Sequence, residues 1–410
     1  MSGILSQLGF CEETQTTPAI STAIASAGPP IIFTLTFASA HGLQPGDTIT
    51  LTGFTPSGYN ATWTIYQVPT TTTATVVTLT SLGNSTVQGT YVASIYGRGG
   101  TVDRFYDMVS EGMKLTSPRI ESAGLRANNR VQKADKWAIN RTGATGPIVL
   151  EVQTKQFGRI LKHLMGNIAT TGPTDSVFTH TATIGAMVGK SLLAQVGKPF
   201  TQSQVVSPFT YPGVKIIDWT FSCALDGILL LTLTLDAQDE QTSVVLAAAS
   251  YPTNSELLTY AGGTISIGGV AVDVSDFTLK CTMGYKADRR FIRANTLQRE
   301  PAEGPMRIFD WTVMAEFTDM LQYSRFASVN RVGALATFVA SFVGPSLVGA
   351  ASFASMTFIS GTNAARVDSD SPVVAGPDLL PLPIAGKLLN TAGGTNDALT
   401  IAYVTADSTP

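Results

Sequence analysis

The residues able to do chemistry are few in this chain, and their spacing argues against catalysis. Only three histidines occur, His41, His163 and His180, too scattered for a triad or a zinc site. His41 lies in a turn-like stretch, and His163 is expected on the surface of a helix. The cysteines, Cys11, Cys223 and Cys281, show no CxxC spacing, so neither a disulfide framework nor a metal site is implied; Cys223 and Cys281 fall in apolar alternations that predict buried thiols. Neither GxSxG, HExxH nor a phosphate-binding loop is present. Asp236, Asp239 and Glu240 cluster without the spacing of a calcium loop, as do Asp368 and Asp370, and solvated carboxylates are the simpler reading of both. Neither an enzyme nor a cofactor is expected. Two basic clusters stand out, 119–141 and 286–299. They lack interleaved aromatics and sit in a chain of net charge −3. Ion pairs at a subunit interface therefore fit them better than nucleic acid, with Arg119, Arg126, Arg130, Arg289, Arg290 and Arg293 as candidates.

The elements that must position these residues are strands. With 13% charged and 44% hydrophobic residues, and an abundance of Thr, Ser and Gly, the composition disfavours disorder and long helices. The clearest element is a hairpin over 214–236, turning at Asp226-Gly227. Side chains alternate along a strand. One parity collects Ile217, Trp219, Phe221, Cys223, Leu229, Leu231, Leu233 and Leu235. The other collects Asp218, Thr220, Ser222, Thr232, Thr234 and Asp236, with Ile216, Ile228 and Leu230 as exceptions. A strand over 306–317 repeats the separation, setting Phe309, Trp311 and Val313 against Asp310 and Thr312. One amphipathic helix is expected over 153–165, stopped by Gly166. The uncharged run between Arg331 and Arg366 is broken too often by Gly, Ser, Thr and Pro for a membrane span and predicts buried strands. The first ten residues lack the basic start and apolar core of a signal peptide.

The chain also echoes itself. Val109-Ser110-Glu111, Leu115 and Leu125-Arg126-Ala127-Asn128 are matched by Val274-Ser275-Asp276, Leu279 and Ile292-Arg293-Ala294-Asn295. Downstream, Phe157-x-x-Ile160-Leu161 is matched by Phe317-x-x-Met320-Leu321. A unit used twice is the reading, with a second helix expected near 318–328. Residues 18–99 differ in texture, with no Lys and one Arg, and predict five short strands at 31–37, 47–54, 61–68, 74–79 and 89–95. The division expected is an arm at 1–17, an inserted immunoglobulin-like sandwich at 18–99, a first unit at 100–213 ending in a linker from 167, and a second unit at 214–410. The fold class is mainly β, a duplicated barrel or sandwich with a few short helices plus the inserted β-sandwich.

The phrases MSGILSQLGFCEET, TVDRFYDMVSEGMKLTSPRIESAGLRANN, GKSLLAQVGKPF and the hairpin itself resemble the major tail tube proteins of long-tailed, non-contractile bacteriophages. The likeness covers about 1–17 and 100–410; residues 18–99 interrupt the family pattern and read as a decoration domain. The resemblance implies a structural virion protein, assembled in the host cytoplasm, whose rings stack into a hollow tube that conducts viral DNA without binding it specifically. Tape-measure and tail-terminator proteins are its implied partners, and no membrane insertion is expected. On this reading Asp218, Thr220, Ser222, Thr232, Thr234, Asp236, Asp310 and Thr312 face the lumen. A duplicated chain makes a ring of three with pseudo-sixfold symmetry, and an unduplicated one a ring of six. A β-sandwich adhesin or glycan-binding module is the alternative.

Overall fold

The structure, a computed structural model, describes residues 5–410 except 15–17, 27, 29, 94–95, 125–126, 129, 175, 328–333, 348–351, 369–370 and 375–378. Arg126, Asp370 and the end of the expected second helix at Ser328 lie outside the described residues. The protein is mainly β. Two large antiparallel sheets pack face to face. The longer carries a run of nine strands, and the other has seven. Aromatic contacts seal the layer between them: Phe221 against Phe358 at 4.7 Å, Phe277 against Phe342 at 5.3 Å, and Trp311 against Phe338 at 4.6 Å between ring centroids. Burying such rings stabilises by roughly 1.5–3 kcal/mol each.

The run of nine contains the expected hairpin as strands Val206–Ala224 and Leu230–Ala237. Its apolar parity is buried as read, with Trp219, Phe221, Leu231, Leu233 and Leu235 all inside. Ile216 and Ile217 are exchanged relative to expectation: the register shifts between Ile216 and Asp218, so Ile216 is buried and Ile217 is not. A bulge of one residue flips the faces, and parity counting cannot see it. Leu230 stays half-buried. Asp226 takes φ 59° in the turn, and Gly227 N donates to Ala224 O.

Several boundaries differ from expectation. The segment taken as an arm enters the core: Gln7–Glu12 is a strand between Leu192–Pro199 and Arg104–Phe105, with Leu8 and Phe10 fully buried. The expected linker from 167 is instead three strands, Gly166–Thr174, Val177–Ile184 and Leu192–Pro199; its threonines favour strands, although its Gly and Pro content suggested loops. The helix is shorter than expected, Phe157–Met165, because Gln156 adopts φ 68°. Phe157, Ile160, Leu161 and Leu164 form its buried face, and Gly166 ends it. His163 is also buried, not on the surface, since the strand bearing Glu12 covers that side. All three cysteines are buried and free. The uncharged run yields strands Phe338–Ser346 and Phe353–Ser360, and among the described residues no helix is long and apolar enough to cross a membrane.

The self-similarity reappears as register. Strands Gly143–Glu151 and Ile308–Glu316 are both nine residues long and start 165 residues apart. Lys114 stands opposite Thr145, and Lys280 opposite Asp310. A bulge interrupts each pairing at the same place, opposite Val149/Leu150 and opposite Met314/Ala315. The loops that follow open with matching ladders: Ile120↔Ala138 and Glu121↔Trp137 in one, Tyr285↔Glu303 and Lys286↔Ala302 in the other. On the far side, Asp236 joins Thr145 to Lys215, as Lys387 joins Asp310 to Arg366. Each copy then sends a helix, Phe157–Met165 or Leu321–Phe326, towards a hairpin of the second sheet. The division expected at 213/214 falls inside the strand Val206–Ala224, and the register assigns that hairpin to the first copy. The structural match also runs one residue out of step with the sequence echo near 109, because the bulge falls on Val109 in the first copy and on Ser275 in the second.

Residues 18–99 form six strands in their own sheet around their own core, including Phe33, Leu35, Ile49, Leu51, Tyr59 and Val76. The sequence missed the first of these strands, Ile20–Ala25. The chain enters and leaves this unit at one place: Thr14 N donates to Gly99 O, and Gly9 and Phe10 pair with Phe105 and Arg104.

Candidate channel-lining face

Alternation makes the outward face of the nine-strand run largely polar, with Val149, Leu230, Ile308 and Met314 as its apolar members. Thr232 and Thr234 lie opposite Thr220 and Asp218; Thr220 and Ser222 lie opposite Lys280 and Thr278; these in turn face Asp310 and Thr312. All eight expected lumen residues share this face. Seven are half-buried by their neighbours, and Thr312 is exposed. Asp236 differs from the rest. It accepts from Gln298 Nε2 at 2.6 Å, and burial pushes its carboxyl up to about 6, against the pull of that hydrogen bond. Residues of the loop after Tyr285 thus cover this end of the face.

The sequence reading missed the cations. Lys280, Arg366 and Lys387 stand on the same face. Lys387 Nζ lies 3.7 Å from Asp310 Oδ1, and Arg366 binds both carboxylate oxygens of Asp368 at 2.7 Å. Parity along Val274–Thr282, where Phe277, Leu279 and Cys281 are buried, would have placed Lys280. The face therefore interleaves both signs among hydroxyls, which gives it no strong grip on a polyanion.

The run ends in two open edges. One carries Met108–Glu111 and Lys114–Thr116, with Val109 and Leu115 exposed. The other carries the short strand Leu335–Ala336, laid against Ala365–Val367, with Leu335 exposed. Unpaired edges with exposed apolar side chains invite another strand.

The expected interface arginines are not brought together. Arg119 stacks over Trp137 at 5.4 Å and bonds Ser117, and Arg130 is exposed. Arg289 donates to Glu300 O, and Arg290 to Thr296 O. Arg293 lies 3.9 Å from Asp47 of the insert. Asp47 is also held by Arg98 at 2.6 Å, and Asn295 donates to Gln44. Much of the second basic cluster thus docks the six-stranded unit of 18–99 within the chain.

A buried carboxylate fastens the base of the six-stranded unit. Glu13 accepts from Gly97 N at 2.7 Å, Gly99 N at 2.9 Å, Gly213 N at 2.9 Å and Ser191 Oγ at 2.5 Å. Burial raises its pKa despite these bonds. Beside it, Glu12 is held down to about 2 by the His163 ring and then the Lys162 ammonium, against burial. His163 Nε2 is 3.4 Å away, long for a hydrogen bond, while Lys162 Nζ reaches both oxygens at 2.8 and 3.0 Å, so the ammonium is the firmer partner.

These features define a two-layer β protein with one largely polar sheet face and two sheet edges. The phage tail tube protein family model matches residues 3–387, and the chain belongs to that family: it is a structural component of a phage tail. No curated protein matches it.

Proposed function

We propose that this protein forms rings that stack into a tube conducting the DNA genome, with the polar face of the nine-strand run turned to the lumen. The observation that carries this is the internal junction between Val206–Ala224 and Val274–Thr282, where the last strand of one copy of the fold pairs with the first strand of the next. The two ends of the run, Met108–Glu111 with Lys114–Thr116 at one and Leu335–Ala336 beside Ala365–Val367 at the other, would meet in a junction of the same kind between chains. Repeating it head to tail closes a ring.

Strand spacing favours three chains over six. At about 4.8 Å per strand, three nine-strand runs close a backbone circle roughly 40 Å across, and six one of roughly 80 Å. The first admits a duplex with room for side chains, whereas the second leaves it loose. Asp218, Thr220, Ser222, Thr232, Thr234, Asp310 and Thr312 then line the bore, with Asp236 at its covered end. The insert, which has its own core and joined ends, decorates the tube exterior. Native mass spectrometry of a single ring tests the reading. Three chains are expected, six would overturn the duplication, and discrete monomers under assembly conditions would overturn the tube.

A further inference from the structure

The two copies of the fold treat their long loops differently, and the difference points to a partner. The second loop, from Tyr285 to Glu303, folds back across the first copy. There Glu300 meets Lys215 at 2.7 Å, with both side chains largely buried, and Lys215 also donates to Met187 O and Lys190 O. The tip of this loop occupies a notch beside the same strands: Thr142 N donates to Thr296 O, and Gln238 Nε2 to Gln298 O. The described residues of the first loop, which opens with the matching ladder, bond to one another, as Gln132 does to Ser122 O and Lys136 O. Ile120, Val131, Trp137 and Ile139 are all exposed, Val131 by 82%. The notch on the second copy, bounded by Arg307, Ile308, Phe309, Leu388 and Leu389, is an open cleft of about 640 Å³.

We infer that the first loop of one chain docks into this cleft on a neighbouring chain, with Asp135 pairing there with Arg366. The positions follow from register. Glu303 and Ala138 are ladder equivalents, and counting back three residues from each gives Glu300 and Asp135. Lys215 and Arg366 are equivalents because each stands opposite the residue that bridges to the next strand, Asp236 or Lys387. The buried Lys–Glu pair within the chain thus becomes an Arg–Asp pair between chains, with the sign of each charge kept. Both groups are available: Asp135 is two-thirds exposed, 3.6 Å from Lys136. Arg366 spends two of its five N–H donors on Asp368. Although Glu303, Arg307, Lys387, Asn390 and Asn396 also line the cleft, Ile308, Phe309, Leu388 and Leu389 give it apolar wall, which suits Val131 at the position Thr296 holds in the second loop.

The inference rests on the ring reading and is tested within it. Asp135→Cys combined with Arg366→Cys, treated with a short bis-maleimide, should give cross-linked multimers on a denaturing gel; either single variant should not, because the three native thiols are buried. Asp135→Arg and Arg366→Asp should each cut tube assembly about tenfold, and the two together should restore it. Tubes that form normally but show only intrachain cross-links, or a double reversal no better than the singles, would overturn the pairing and leave the tube reading intact. Failure of the unaltered chain to form rings would instead overturn the tube reading.

Discussion

Replacing Glu13 with Ala should loosen the junction between the insert and the sheet. The carboxylate holds three backbone N–H groups from two segments, Gly97 and Gly99 in one and Gly213 in the other, together with the Ser191 hydroxyl. Residue 13 is buried, so water cannot simply replace it. Each orphaned buried donor costs about 1–3 kcal/mol, and loss of a desolvated charge returns part of the sum, so the net destabilisation is roughly 3–5 kcal/mol. Glu13→Gln should fall between. Its carbonyl oxygen keeps two of the bonds, and its NH₂ faces a backbone N–H, a loss of about 1–2 kcal/mol. Urea unfolding of the unassembled protein measures the energies. Hydrogen exchange of peptides containing Gly97, Gly99 and Gly213 locates them, and faster exchange is expected at all three together. A Glu13→Ala protein with an unchanged midpoint and unchanged protection at these amides would refute the reasoning.

Other expectations can be checked as directly. Changing Asp218 and Thr220 to Lys, beside Lys280, should leave tubes intact but slow DNA ejection, most at low salt where screening is weakest; ejection rates independent of both charge and salt would count against a lumen position. Glu12 is depressed from 4.5 to about 2, so its contribution is complete above pH 4.5 and is lost as pH falls towards 2. Its carboxylate is about one-third exposed, and after solvent screening that contribution is about 1–2 kcal/mol. Urea midpoints of Glu12→Gln should therefore show a flatter acid limb than the parent. Glu13 and Asp236, raised by burial, work the other way and lose stability as pH rises through their shifted values, so they do not mimic this effect. Removing residues 18–96 while keeping Gly97 to Gly99, so that Glu13 retains its donors, should still give tubes, of smaller outer diameter and unchanged bore; a changed bore in electron micrographs would place the insert elsewhere.

Alternation decided the polar face in advance. A strand offers only two sides, so Trp219, Phe221 and Leu233 had to go inward and Thr220, Thr232 and Thr234 outward once the strands were granted. The internal echo was legible for the same reason: strand spacing is set locally, and 143 and 308 are as far apart as 120 and 285. The family resemblance, too, lay in the sequence, and the matched family bears it out. What the sequence left open depends on contacts between residues far apart in the chain. The bulge at Ile217 depends on how two strands meet. The burial of His163 depends on a strand from the other end of the chain. The capture of Arg293 by Asp47 and of three glycine amides by Glu13 depends on where the insert comes to rest. Local pattern fixes which way a side chain points, because backbone geometry is local. Which group it then meets is set by the packing of distant segments, and only the tertiary structure specifies that.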